Sequence, residues 1–131
     1  MLRFGLLGAG RIGKIHGGNI AASPAARLAA VADADAGASK ALAAATGAEV
    51  AGVDEIIADR DIDAVLIGTP TDTHADLIER AARAGKAVLC EKPVDLDSKR
   101  IEACLKVVEA AGTPLMIGFN RRFDPSFADV K

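Results

Sequence analysis

The feature that most constrains this chain is a short apolar run that leads directly into closely spaced glycines. The run Leu2–Leu7 has the length of a buried strand, and a Gly-x-Gly-x-x-Gly pattern occupies residues 8–13. Apolar residues then recur at helical spacing up to about Ala22, where Ser23-Pro24 ends the pattern. This order of strand, glycine turn and helix is the context in which such glycines predict a dinucleotide-binding site.

Each glycine of the pattern has a physical reason. Gly8 allows a tight turn off the strand, Gly10 has no side chain to hold a pyrophosphate away from the backbone, and Gly13 allows close helix–sheet packing. The first N–H groups of the helix lack intrahelical acceptors and lie at the positive end of its dipole. The predicted cofactor contacts in this loop are Gly8, Ala9, Gly10, Arg11 and Ile12.

Composition limits the class of protein. The chain has 131 residues, of which 50% are hydrophobic and 26% charged, with a net charge of −2, values typical of one globular domain. Mixed charges leave no electrostatic footprint for nucleic acid, and no apolar run approaches a membrane span or a signal peptide. Cys90 and Cys104 form no Cys-x-x-Cys pair, so we expect buried, reduced thiols and no metal site. We therefore expect a cytoplasmic protein that binds neither nucleic acid nor membrane.

Strands and helices are predicted to alternate along the whole chain. Three predicted helices end at a glycine with a strand just beyond, at Gly47, Gly85 and Gly112. Such alternation indicates parallel β-α-β units with right-handed crossovers. We predict an α/β fold, a doubly wound parallel sheet of the Rossmann type in the order 3-2-1-4-5-6. The strands are expected at 2–7, 27–32, 49–51, 63–68, 87–90 and 115–117. The later helices are expected at 36–46, 54–58 with Asp54 as the cap, about 73–84, and from the Asp97 cap to Gly112, with Ile101, Cys104, Leu105 and Val108 on one face.

Polar residues collect where the predicted strands end. Ligands of an open parallel sheet bind outside the carboxyl ends of its strands, so these residues are expected to converge on one site. The predicted cofactor contacts beyond the glycine turn are Asp33, Ala34, Thr69, Pro70, Thr71, His74, Glu91, Lys92 and Asn120.

Asp33 bears on the choice of cofactor. It lies 20 residues past Gly13, about where such folds place the acid that accepts the ribose hydroxyls. Its carboxylate would repel the 2′-phosphate of NADP, since two charges ~4 Å apart cost about 4 kcal/mol at an effective dielectric near 20. We therefore predict NAD. Two alternatives stay open: Asp35 is the ribose ligand if the strand is longer, or Asp33 only caps the next helix.

Lys92 is the predicted catalytic residue. It follows a buried strand and precedes a proline, which restricts its backbone and points it over the cleft. There it can donate to a substrate hydroxyl or help to shift its proton. The alternative is a solvated lysine paired with Glu91.

The arginines near the end of the chain and the two histidines each have more than one possible role. Arg121 and Arg122 either bind a polyol or acid substrate or pair with Asp124 and neighbouring carboxylates. His74 has either a structural role at a helix start or a role beside the cofactor. His16, within the first helix, is expected to be a packing or surface residue.

Four segments together resemble the Gfo/Idh/MocA family of NAD(P)-dependent oxidoreductases. The segment Glu91-Lys92-Pro93 is the most specific of the four. The resemblance, strongest to the inositol-oxidising members, implies hydride transfer from a cyclic polyol or sugar hydroxyl to NAD. It implies that Lys92 is the active-site lysine, that Arg121 or Arg122 approaches cofactor and substrate, and that the Lys92-Pro93 peptide can be cis. The segments are the glycine turn continuing to His16, Thr69-Pro70 with His74, Glu91-Lys92-Pro93, and Gly118 to Pro125.

One departure from the family concerns the rest of the active site. Family members continue into a second α/β domain with an Asp-x-x-x-His pair, whereas no histidine follows His74 here and the sequence stops at Lys131. We therefore expect residues 1–122 to be the dinucleotide-binding domain and 123–131 the start of a connection to a substrate domain. The isolated chain is expected to lack turnover, and the full-length protein to be a homo-oligomer that takes a small polyol or sugar. Alternatives are a stand-alone NAD-binding module, another sugar dehydrogenase, or an NAD-dependent glycosidase.

Overall fold

All six strands of the sheet are parallel, and their order is β3-β2-β1-β4-β5-β6, which confirms the predicted topology. The computed structural model describes residues 1–128. The strands are β1 (Leu2–Leu7), β2 (Ala26–Ala32), β3 (Glu49–Val50), β4 (Ala64–Ile67), β5 (Ala87–Cys90) and β6 (Leu115–Ile117).

Helices connect the strands close to the predicted bounds. Short 3₁₀ turns cover Thr71–Thr73 and Asn120–Phe123. Residues 129–131 of the predicted connection lie outside the described residues. Among residues 1–128, no helix combines the length and apolar character that crossing a membrane requires. The helices are α1 (Arg11–Ala22), α2 (Ala36–Thr46), α3 (Val53–Ala58), α4 (His74–Arg83), α5 (Ser98–Ala111) and α6 (Pro125–Ala128).

Two local expectations need correction. Asp54 lies inside α3 rather than capping it, because the helix begins at Val53 with Gly52 as the N-cap residue, and the Glu55 carboxylate accepts the N–H of Gly52 at 2.6 Å. Leu105 is 45% exposed and does not share the buried face of α5 with Cys104 and Val108. Successive residues of a helix point about 100° apart, and the stripe that α5 buries is too narrow to include Leu105.

Helices cover both faces of the sheet and divide the core in two. On one face, Ile20 of α1 and Leu42 of α2 pack with Leu6, Val31 and Leu66 of the central strands. The opposite core is formed by α3, α4 and α5 on the other face of the same strands. Because both faces are covered, β4 is buried along its whole length.

The last residues of five strands lie side by side. Ala32 pairs with Leu7 and Leu7 with Ile67, and the row continues through Cys90 to Ile117. The residues that follow these strands therefore begin at one edge of the sheet, about 4.8 Å apart from strand to strand. This register brings the sequence-predicted site segments together.

We expect Gly13→Ala to destabilise the chain and Gly18→Ala, in the same helix, to stabilise it. A Cβ at Gly13 would lie 1.9 Å from the carbonyl oxygen of Gly8, whereas one at Gly18 meets no atom within 4 Å. Overpacking against backbone costs about 1–3 kcal/mol, and Gly→Ala in an open helix position gains up to about 1 kcal/mol. Urea unfolding gives both free energies. Equal effects of the two substitutions would contradict the close packing of α1 on the glycine turn.

Candidate functional site: a nucleotide cleft at the sheet edge

The glycine turn is shaped by close backbone contacts. Gly8 has φ 102°, and a Cβ there would lie 2.6 Å from both the carbonyl carbon and oxygen of Gly68. Gly13 is pressed against the carbonyl oxygen of Gly8. Gly10 differs from both, since a Cβ on it would meet no atom within 4 Å. The turn is therefore closed on its sheet side and open at Gly10.

The start of α1 meets the requirements of a pyrophosphate site. Gly10 is the N-cap residue, no side chain caps the helix, and its first turn contains no acidic residue. The first N–H groups are therefore available to an anion, and the helix dipole favours one. The loop with its open glycine fits the diphosphate of a dinucleotide.

Two neighbouring carboxylates at the end of β2 have different partners. Asp33 Oδ2 accepts the N–H of Ala9 at 2.6 Å, and its Oδ1 accepts the N–H of Asp35 at 2.7 Å. The Asp35 side chain instead accepts the N–H groups of Gly37 and Ala38 as the N-cap of α2. Asp35 is thus the capping residue and Asp33 is the carboxylate at the glycine turn.

A cleft of about 820 Å³ opens beside the glycine turn. Its walls include six of the predicted contacts, namely Gly8, Gly10, Asp33, Ala34, Thr69 and Pro70. Asp72 and Thr73 also line it and belong to the loop from Thr69 to His74, which is predicted to converge on the site. The lining residues that sequence reasoning did not single out are Ala32, Val53, Gly68, Asp76, Leu77 and Arg80. Several of these belong to the first turns of α4, and the signal that could have indicated them is that α4 starts at the same sheet edge as the glycine turn.

His74 lies beneath the cleft rather than in its wall. The residue is 2% exposed, and its Nδ1 and Nε2 lie 2.7 and 2.8 Å from the carbonyl oxygens of Pro93 and Thr69. A neutral imidazole can donate to one of these oxygens and a protonated imidazole to both. His74 therefore links the loops that follow β4 and β5, which favours the structural one of its two possible roles. Thr71 lies in the 3₁₀ turn just before it.

The loop after β5 is tied to α1. Glu91 Oε1 lies 2.6 Å from His16 Nε2, and both Glu91 carboxylate oxygens would lie 3.2 Å from a Cβ at Gly118. His16 is thus a partner of Glu91, a contact 75 residues apart in sequence that local patterns do not reveal. Lys92 is exposed, forms no ion pair with any residue among 1–128, and precedes a cis peptide to Pro93.

Both thiols are buried and free, as the sequence predicts. Burial, and to a smaller extent the negative charge of Glu91, raise the pKa of Cys90 to about 12. The thiol therefore stays protonated at neutral pH and is no nucleophile. Within residues 1–128, no group of three or more His, Cys, Asp and Glu side chains is arranged to hold a metal ion.

The segment after β6 carries three exposed predicted contacts: Asn120, Arg121 and Arg122. The guanidinium of Arg121 lies 5.1 Å from the ring centroid of Phe127. Neither arginine forms an ion pair within the described residues. The predicted alternative of pairing with Asp124 is therefore not observed, and none of the three residues lines the cleft.

Known proteins resemble this chain over almost its whole length. The inositol 2-dehydrogenase of Rhizobium meliloti (strain 1021) is 62% identical over 130 residues, which are 99% of this chain and 39% of that protein. The scyllo-inositol 2-dehydrogenase (NAD(+)) of Bacillus subtilis (strain 168) is 41% identical over 133 residues, again 99% of this chain and 39% of the relative. The chain therefore spans about two fifths of the length of these relatives.

Solved structures also resemble this chain over almost its whole length. The scyllo-inositol dehydrogenase of Lactobacillus casei with bound cofactor NAD(H) and scyllo-inositol superposes with a TM-score of 0.93 at 36% identity, over 99% of this chain and 39% of that one. The model of the oxidoreductase family with an NAD-binding Rossmann fold matches residues 2–119. The sheet order thus agrees with the Rossmann fold of the matching family, and the chain belongs to the Gfo/Idh/MocA oxidoreductase family as its NAD-binding Rossmann domain.

Proposed function

We propose that the chain provides the NAD-binding half of a dehydrogenase that oxidises a hydroxyl group of a cyclic polyol such as an inositol. The observation that carries this proposal is the row of strand ends, which brings the glycine turn, Asp33, Thr69 and Lys92 to one edge of the sheet. The relatives named for inositol oxidation support the substrate class.

The cofactor is proposed to lie across the strand ends with its adenosine toward β2. The available N–H groups of α1 suit its diphosphate, and Asp33 suits the adenosine ribose because each carboxylate oxygen accepts more than one hydrogen bond. The nicotinamide would then reach toward β4 and β5. Lys92 follows β5, two strands from β1, or about 10 Å at the usual strand spacing.

Lys92 is the proposed catalytic residue of this half. Oxidation of a secondary hydroxyl removes a hydride from carbon and a proton from oxygen and leaves a ketone. NAD supplies the hydride acceptor, and the Lys92 amine is proposed to hydrogen-bond the substrate oxygen and assist departure of its proton. Lys92 is exposed and forms no ion pair within residues 1–128, which leaves its amine available. Arg121 and Arg122, also exposed, are proposed to contact the substrate.

Other parts of the proposal concern the whole protein. The relatives are more than twice as long as this chain, so a second segment is proposed to complete the substrate pocket and the proton path. A homo-oligomer in the cytoplasm is the proposed working state. A stand-alone module that binds NAD without turnover is the competing function, and the two differ in whether the chain supports oxidation when joined to a substrate domain.

We expect a chimera to oxidise myo-inositol. In it, this chain replaces the corresponding segment of the Rhizobium meliloti inositol 2-dehydrogenase, with which it shares 62% identity. NADH formation, followed by absorbance, is expected with the chimera and not with the isolated chain. Lys92→Met in the chimera should lower kcat by at least about a hundredfold while NAD affinity changes by less than about threefold, because the lysine acts on the substrate rather than the diphosphate.

The matched control is Lys106→Met, which removes an exposed lysine on α5 and should leave kcat unchanged. A folded chimera that binds NAD but oxidises no polyol would favour the stand-alone module. Equal kcat in the Lys92→Met chimera and its parent would contradict the catalytic role of Lys92.

A further inference from the structure

We infer that Asp33 is the positioning residue of the glycine turn, a role separate from its proposed contact with the cofactor ribose. Its Oδ2 accepts the N–H of Ala9 at 2.6 Å, across 24 residues of sequence. Its Oδ1 accepts the N–H of Asp35 at 2.7 Å, so the carboxylate is held from both sides. The inference rests on the proposed function only for the identity of the ligand.

The remaining contacts of the turn show why this one matters. The N–H of Gly8 donates to the Ala32 carbonyl at 2.8 Å, and the carbonyl of Gly10 accepts the Lys14 N–H at 2.9 Å. Ala9 lies between these two fixed points. Among residues 1–128, Asp33 is the one side chain that hydrogen-bonds to the backbone of residues 8–12. The carboxylate is therefore what fixes the middle of the turn.

Among residues 1–128, the Ala9 N–H has no second acceptor. Ala9 is 0% exposed with Asp33 in place, so loss of the carboxylate would remove the partner of an otherwise buried N–H, which is unfavourable. The turn would move to find a partner, and Gly10 would move with it. Gly10 is the open position of the loop, and its displacement would disturb the diphosphate site even for a ligand that never touches Asp33.

A consequence concerns cofactor preference. Replacing Asp33 by a neutral residue removes a charge that repels a 2′-phosphate, yet the same change removes the acceptor that holds Ala9. The Asp33 side chain therefore determines both the preference for NAD and the conformation of the glycine turn. A substitution aimed only at admitting NADP is expected to weaken binding of the diphosphate as well.

The test compares NAD with an analogue whose adenosine ribose lacks both the 2′ and 3′ hydroxyl groups. Asp33→Ala should weaken binding of the analogue about tenfold in calorimetry, or about 1.4 kcal/mol, although the analogue offers Asp33 no hydroxyl group. Asp33→Asn should have a smaller effect, because one amide oxygen remains as an acceptor. It also serves as the informative variant if Asp33→Ala fails to unfold cooperatively.

The matched control is Asp35→Ala, which removes the same charge two residues away. The Asp35 side chain caps α2 by accepting the N–H groups of Gly37 and Ala38, and it forms no hydrogen bond with the glycine turn. Its removal should lower the melting temperature, through loss of the cap, and change analogue affinity by less than about twofold.

A second readout needs no ligand. Amide hydrogen exchange of Ala9 in the free chain should be faster in Asp33→Ala than in the parent and unchanged in Asp35→Ala. Parent-like analogue affinity together with parent-like exchange at Ala9 would overturn the inference. If the parent chain binds neither NAD nor the analogue, the proposed function fails, and exchange at Ala9 still decides whether Asp33 positions the turn.

Discussion

The site depends on the register of the parallel sheet at its carboxyl edge. The ladder continues one residue past the strands: Gly8 donates to the Ala32 carbonyl, Gly68 to Leu7, Glu91 to Ile67 and Gly118 to Cys90, all at 2.8–2.9 Å. Four segments far apart in sequence thus start in line. Each can place one or two polar groups over the edge, because the backbone beneath it is already hydrogen-bonded.

Side-chain contacts between these segments add a second level of order. Asp33 joins the end of β2 to the glycine turn, His74 joins the loops after β4 and β5, and Glu91 joins the latter loop to His16 on α1. Each contact lies beside a residue proposed to bind the cofactor or substrate. The edge is thus a set of linked loops, and a substitution in one is expected to affect its neighbour.

Sequence reasoning located the elements well because glycine, proline and capping residues mark their ends. The bounds of β1, α2, β5 and β6 agree with the structure, and Asp97 and Gly47 cap helices as predicted. It located the site less completely. The α4 wall of the cleft, with Asp76 and Leu77, depends on how a helix packs across the sheet, and local patterns carry no such information. The contact between His16 and Glu91 also joins residues far apart in sequence, so local patterns could not predict it. Leu105 was wrongly predicted to be buried because the buried stripe of α5 is narrower than the sequence pattern indicates.

The proposed adenosine end of the cleft lies beside the Asp33 carboxylate. Among residues 1–128, Arg80 is the one cationic residue in the cleft wall, and it is paired with Asp54. Calorimetric titration of the 131-residue chain with NAD and with NADP measures the resulting cofactor preference. One NAD is expected to bind per chain, at least about tenfold more tightly than NADP, because a phosphate beside Asp33 is repelled. Absence of NAD binding, or tighter binding of NADP, would contradict this expectation.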